Sequence, residues 1–98
     1  MAHDILVIET EDGSKHEVKV FSADYIGVNR ELEAEGRRPS LVSQIEYEHR
    51  LAHRAGQRAG VVPTDQSFDD WLETGADAER PEKAGEAEES GEARATPA

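Results

Sequence analysis

The chain has 98 residues, with 22 Asp and Glu against 11 Lys and Arg, a formal net charge of −11. That length suits one small domain, and the acidic balance argues against nucleic-acid and membrane-surface partners, which are held by clustered Lys and Arg. The absence of cysteine excludes a disulfide framework, a thiolate metal site and a thiol nucleophile, and makes a reducing cytoplasm the simplest home.

The longest apolar run, Ile5-Leu6-Val7-Ile8, is far short of the about 18 residues a membrane span requires, and no basic stretch precedes it as in a signal peptide. A soluble, unexported protein is expected. Residues 4 to 21 read as two strands around Glu11-Asp12-Gly13-Ser14, because Asp-Gly favours a two-residue type I′ turn. That loop pairs Val7 with Val18 and Ile5 with Val20, placing these four on one face, with Leu6, Ile8 and Phe21 on the other. Ser22 then caps a helix over 23–34 in which Tyr25, Val28 and Leu32 share one side, with Gly27 as a weak point.

Glu35-Gly36-Arg37-Arg38-Pro39 breaks that helix, and Ser40 caps a longer one ending near Gly60. Within it Val42, Ile45, His49, Ala52, Gly56 and Ala59 form an amphipathic stripe whose small C-terminal members permit close packing. After Val61-Val62-Pro63, Ser67 opens a short last helix, with Asp70 completing a capping pair and Phe68, Trp71 and Leu72 on one face. Every Ile, Leu, Val, Phe, Tyr and Trp lies at or before Leu72. The chain therefore divides into an α+β body, residues 1–74, with an N-terminal hairpin and about three helices, and a disordered acidic tail, 75–98. The tail carries Asp77, Glu79, Glu82, Glu86, Glu88, Glu89 and Glu92 against Arg80, Lys83 and Arg94, and reads as a linker or solubiliser. A body of this size retains roughly 3–5 kcal/mol without a staple or partner, so weak self-association is expected.

His49 and His53, at i and i+4 of a helix, have the spacing that can present two imidazoles to a metal. Arg50 stands where a zincin carries Glu, and Glu46 is the one further ligand within a turn. Both histidines are read as packing residues, and no metal or other cofactor is expected. No serine lies in a nucleophile-elbow context and no Gly-rich segment joins a strand to a helix, so no catalytic residues are assigned and no enzyme is expected. Arg50, Arg54 and Arg58 recur every four residues, either as a solvated face pairing with Glu46 and its neighbours or as a docking strip for an acidic partner. Phe68, Trp71 and Leu72 pose a similar choice between core and interaction motif. A face of three large apolar residues on so short a helix must dock on the body, on another copy or on a client. The candidate interaction residues are thus Phe68, Trp71 and Leu72, with Tyr47, Leu51, Arg50, Arg54 and Arg58 on the long helix.

The order of hairpin, helix, the helix Tyr47-Glu48-His49-Arg50-Leu51-Ala52-His53-Arg54-Ala55-Gly56-Gln57-Arg58-Ala59-Gly60 and then Ser67-Phe68-Asp69-Asp70-Trp71-Leu72 resembles the tail assembly chaperones of long, non-contractile-tailed phages. In that family a helix of the type W-x-A-x-x-R-x-G precedes a short loop and an F-D-x-W/F-L segment. The likeness covers roughly residues 4 to 74. This chain carries His53 where many relatives have Trp, and Gly56 where a larger apolar residue is usual.

The resemblance implies a non-enzymatic chaperone, acting in the host cytoplasm and absent from the mature virion. It would bind the tape measure protein and keep it soluble while tail tube protein assembles round it. It also implies that this chain is the short product of a pair sharing one N-terminal domain. An acidic, weakly self-associating domain with apolar patches suits such a client. Two other readings use the same composition: a generic acidic adaptor binding a basic or amphipathic partner, and a nucleic-acid mimic, which a charge concentrated in a tail fits less well.

Overall fold

The N-terminal apolar run forms the middle strand of a sheet. In the computed structural model, which describes residues 4–81, β1 (Asp4–Glu9) pairs antiparallel with β2 (Lys15–Val20) on one side and with a short β3 (Asp77–Glu79) on the other. Helices α1 (Ser22–Ala34), α2 (Gln44–Ala59) and α3 (Phe68–Glu73) follow the hairpin, with a single 3-10 turn at Pro39–Leu41 between the first two. The expected α+β class, a hairpin and then three helices, is what the chain adopts.

The hairpin sits where expected, but its register is one residue away. Leu6 faces Val18 and Val7 faces Glu17, because the turn is longer than a two-residue loop. The Thr10 N–H donates to the Ser14 carbonyl and the Gly13 N–H to the Thr10 carbonyl, each at 2.9 Å, and Gly13 takes the left-handed conformation with φ of 88°. Asp12 braces this turn by accepting from the Thr10 hydroxyl and the Ser14 N–H. An Asp-Gly pair suits both a two-residue loop and a longer turn with one left-handed glycine, and a one-residue slip exchanges the faces. Leu6, Ile8, Val18 and Val20 therefore enter the core, while Ile5 and Val7 lie on the outer face with Glu17 and Lys19.

Helix α1 begins at Ser22, one residue before the expected start. Phe21 occupies the cap position that Ser22 was expected to fill, and its N–H donates to the Asp24 carboxylate at 2.8 Å. Val28 and Leu32 are fully buried, as their spacing predicts. Helix α2 is capped by Ser43 and not Ser40, since the Ser43 hydroxyl accepts from the Glu46 N–H at 3.1 Å. Pro39-Ser40-Leu41 spends itself on the 3-10 turn, and the chain extends again at Val42.

The largest departure concerns the faces of α2. Glu48, Arg50, Leu51, Ala52, His53, Ala55 and Gly56 are all buried, whereas Ile45 is 71% exposed and Ala59 is exposed. The helix is covered on three sides, by α1, by the sheet and by α3, so one apolar stripe cannot describe it. Gly56 is where the helix meets the sheet: a Cβ there would lie 2.9 Å from Ile8 Cδ1 and 2.7 Å from Val62 Cγ2.

The body also extends further than residue 74. Ala78 pairs with Ile8 and is buried, and Arg80 reaches Glu48 at 2.9 Å. A strand is held by its backbone, so a segment without large side chains can still add to a sheet. The remainder of the expected tail, 82–98, lies outside the described residues.

Trp71 is 3% exposed, with its ring centroid 5.6 Å from that of His53 and 6.1 Å from that of His49. It is core, and this corrects its assignment to an interaction surface. Trp71→Ala is expected to lower the unfolding free energy by about 3–5 kcal/mol, the usual cost of deleting a buried large aromatic. Urea unfolding followed by circular dichroism measures this, and a folded variant of nearly unchanged stability would contradict the assignment.

Candidate protein-interaction site

The arginines of α2 meet the acids of α1 across an antiparallel helix pair. Arg58 grips the Asp24 carboxylate, with contacts at 2.8 and 3.0 Å, and its guanidinium lies 4.5 Å from the centroid of the Phe21 ring. Arg54 binds Glu31 at 2.8 Å. Arg50 reaches Glu31 at 3.3 Å, Glu35 at 3.1 Å and, one turn back on its own helix, Glu46 at 3.0 Å. Arg37 completes the network with a two-pronged grip on Glu46 at 2.7 and 2.8 Å.

Gly27 permits this approach, because a Cβ at that position would lie 2.3 Å from the Arg54 guanidinium. The four-residue arginine spacing is therefore not a docking strip for an acidic partner. Arg50 is buried, at 6% exposure, and each arginine already has a carboxylate within the fold.

The histidines have structural partners too. The His49 Nδ1 lies 2.8 Å from the Ile45 carbonyl, where it donates, and its Nε2 lies 3.0 Å from the Asp77 carboxylate, tying α2 to β3. The His53 Nε2 donates to the Gln66 carbonyl at 2.8 Å and its ring stands edge-on to Phe68. Glu46, the third member of the conceivable metal set, is spent on Arg37 and Arg50. Among the described residues no group of three His, Cys, Asp or Glu is placed to hold a metal ion.

Of the residues expected to form an interaction surface, Leu51, Trp71 and Arg50 are inside, and Tyr47 is half-buried with its hydroxyl donating to Asn29 at 2.7 Å. Arg54 and Arg58 are partly exposed but paired. Phe68 and Leu72 do reach the surface. They line a cleft of about 600 Å³ between the first half of α2 and α3, together with Ile45, Ser43, His49 and Asp69 and the charged group Glu35, Arg37, Glu46 and Arg50.

The expected stripe puts Ile45 in the core, whereas it stands 71% exposed in this cleft. Leu41, in the 3-10 turn, is more exposed still, at 78%. Its place beside Pro39, in a segment too short for a buried face, is the signal that could have found it. Arg37 first, then Arg50, hold Glu46 ionised, with its pKa lowered to about 2. The arrangement is suited to binding and to fixing helices. Comparison with protein-family models, with curated proteins and with solved structures finds no match for this chain, and no helix among the described residues is long and apolar enough to cross a membrane.

Because the folded pKa of Glu46 lies below its value of 4.5 in the free side chain, the linked stability is fully present above that pH and is lost as pH falls towards about 2. Glu46→Gln should therefore be less destabilised than the wild type on going from about pH 6 to about pH 3. Urea titrations at the two pH values measure this, and identical pH dependence in the two proteins would contradict it.

Proposed function

We propose that this protein is a non-enzymatic tail assembly chaperone of a long, non-contractile-tailed phage. In this reading it binds the tape measure protein and keeps it soluble while tail tube protein assembles around it. The observation that carries the reading is the contrast between a charged network satisfied within the fold and the large aliphatic side chains left exposed, Ile26, Leu41, Ile45 and Leu72. A surface of that kind binds apolar segments, while the net charge of −11 keeps an assembly of many copies apart and in solution.

The resemblance of the Tyr47–Gly60 helix and the Phe68-Asp69-Asp70-Trp71-Leu72 segment to the phage family supports this client over a generic partner. The fold adds support, since it packs the second segment directly on the first. The protein would work in the host cytoplasm, self-associate weakly and be absent from the mature virion. A generic acidic adaptor is the competing reading, and it predicts no preference for a tape measure client.

Co-expression of the full chain with a phage tape measure protein is the test. The soluble fraction of the client should rise several-fold and the two should co-purify. A tape measure protein whose solubility is the same with and without the chain would overturn the proposal.

A further inference from the structure

In the groove between the first half of α2 and α3, apolar walls adjoin acids that no cation of the described residues holds. Ile45 stands on the α2 wall at 71% exposure and Leu72 on the α3 wall at 39%. Between them the Arg50 guanidinium lies 4.6 Å from the Phe68 ring centroid. The cations of the groove, Arg37 and Arg50, are already held by Glu35 and Glu46, and Arg50 also by Glu31. On the α3 side Asp69, Asp70 and Glu73 are exposed, and none of them makes an ion pair among the described residues.

The charge and shape of the groove choose among its possible occupants. The remaining C-terminal segment, 82–98, has no large apolar side chain and sets Glu82, Glu86, Glu88, Glu89 and Glu92 against Lys83 and Arg94. It supplies neither an anchor nor the opposite charge. A second copy docked groove to groove would bring the same excess of acids, Glu35, Glu46 and Asp69 against Arg37 and Arg50, to both sides and supply no opposite charge. A segment with large apolar side chains flanked by Lys or Arg satisfies both the walls and the rim.

We propose that this groove is a docking site for a basic amphipathic helix of another protein. The apolar face of that helix seats between Ile45 and Leu72, and its cations face Asp69 on the groove wall and Glu73 one turn further along α3. This is helix-in-groove recognition, in which apolar anchors supply most of the affinity and the charges orient the ligand. The inference rests on the chaperone reading only for the identity of the client, whose bound segment would have this chemistry.

The test titrates the full chain with a helical peptide carrying leucine on one face and lysine on the other. The comparison peptides replace lysine by glutamate, or leucine by serine. Only the leucine–lysine peptide should bind, and binding should weaken with added salt. Ile45→Ser combined with Leu72→Ser should weaken it by about tenfold or more, since anchor residues dominate such interfaces. Asp69→Asn with Glu73→Gln should also weaken it, whereas Glu9→Gln with Glu11→Gln, at the far hairpin, should not. All of these side chains are exposed, and circular dichroism confirms that each variant is folded.

No binding of the leucine–lysine peptide, equal binding of the leucine–glutamate peptide, or unchanged affinity in the Ile45/Leu72 variant would overturn the inference. The same Ile45/Leu72 variant co-expressed with the tape measure protein separates the two claims. If the wild type and the variant solubilise the client equally, the chaperone reading stands and the groove falls. If the peptide binds in the groove but the wild type fails to solubilise the client, the groove stands and the chaperone reading falls.

Discussion

Helix α1 is held in place by a ladder of carboxylate–guanidinium pairs. Asp24 and Glu31 on α1, with Glu35 just past its end, meet Arg58, Arg54 and Arg50 on α2 in antiparallel order, and Val28 and Leu32 supply the apolar part of the same junction. Arg58 holds Asp24, Arg54 holds Glu31 and Arg50 spans Glu31 and Glu35, so the ladder sets the register of the two helices as well as their attraction. The buried rung matters most. Arg50 is buried, and a buried charge deprived of its partner costs about 3–5 kcal/mol, comparable to the whole stability of a domain of this size.

The ladder shapes the surface as well as the interior. By drawing Arg37, Arg50, Arg54 and Arg58 into internal pairs, it leaves the exterior dominated by acids such as Asp69, Asp70 and Glu73. Because α2 is enclosed by α1, the sheet and α3, its interior turns have little freedom to vary. Its first turn carries Ile45 into the cleft. Glu46 and Arg50 line the same cleft and belong to the ion-pair network, so its floor is fixed by the helix junction while Ile45 on its wall is free to change.

Much of this architecture is legible in the sequence, and the failures have physical causes. The hairpin, the Ser67 cap with the Asp70 N–H and the burial of Val28 and Leu32 follow from local chemistry. The hairpin register does not, because Asp-Gly serves two turn lengths and only the packing of Leu6 and Ile8 selects one. The start of α2 was written in Ser43-x-x-Glu46, a stronger cap signal than Ser40. The arginine spacing was visible, but its partners lie on another helix, and periodicity along one helix cannot reveal them. Ala78 carried no hydrophobic signal because its strand is recruited through the backbone. The cleft was half visible: Phe68 and Leu72 were singled out, while Ile45 was assigned to a core stripe that a helix covered on three sides does not have.

The role of the ladder is tested most directly by the equilibrium unfolding free energy of the triple variant Glu31→Gln, Glu35→Gln and Glu46→Gln, which keeps the side-chain shapes and strips the buried Arg50 of its carboxylates. With the Arg50 charge left buried and uncompensated, a loss of about 3–5 kcal/mol is predicted, enough to leave much of the protein unfolded. A variant within about 0.5 kcal/mol of the wild type, the scatter of an ordinary surface substitution, would contradict the account and return the junction of α1 and α2 to Val28 and Leu32 alone.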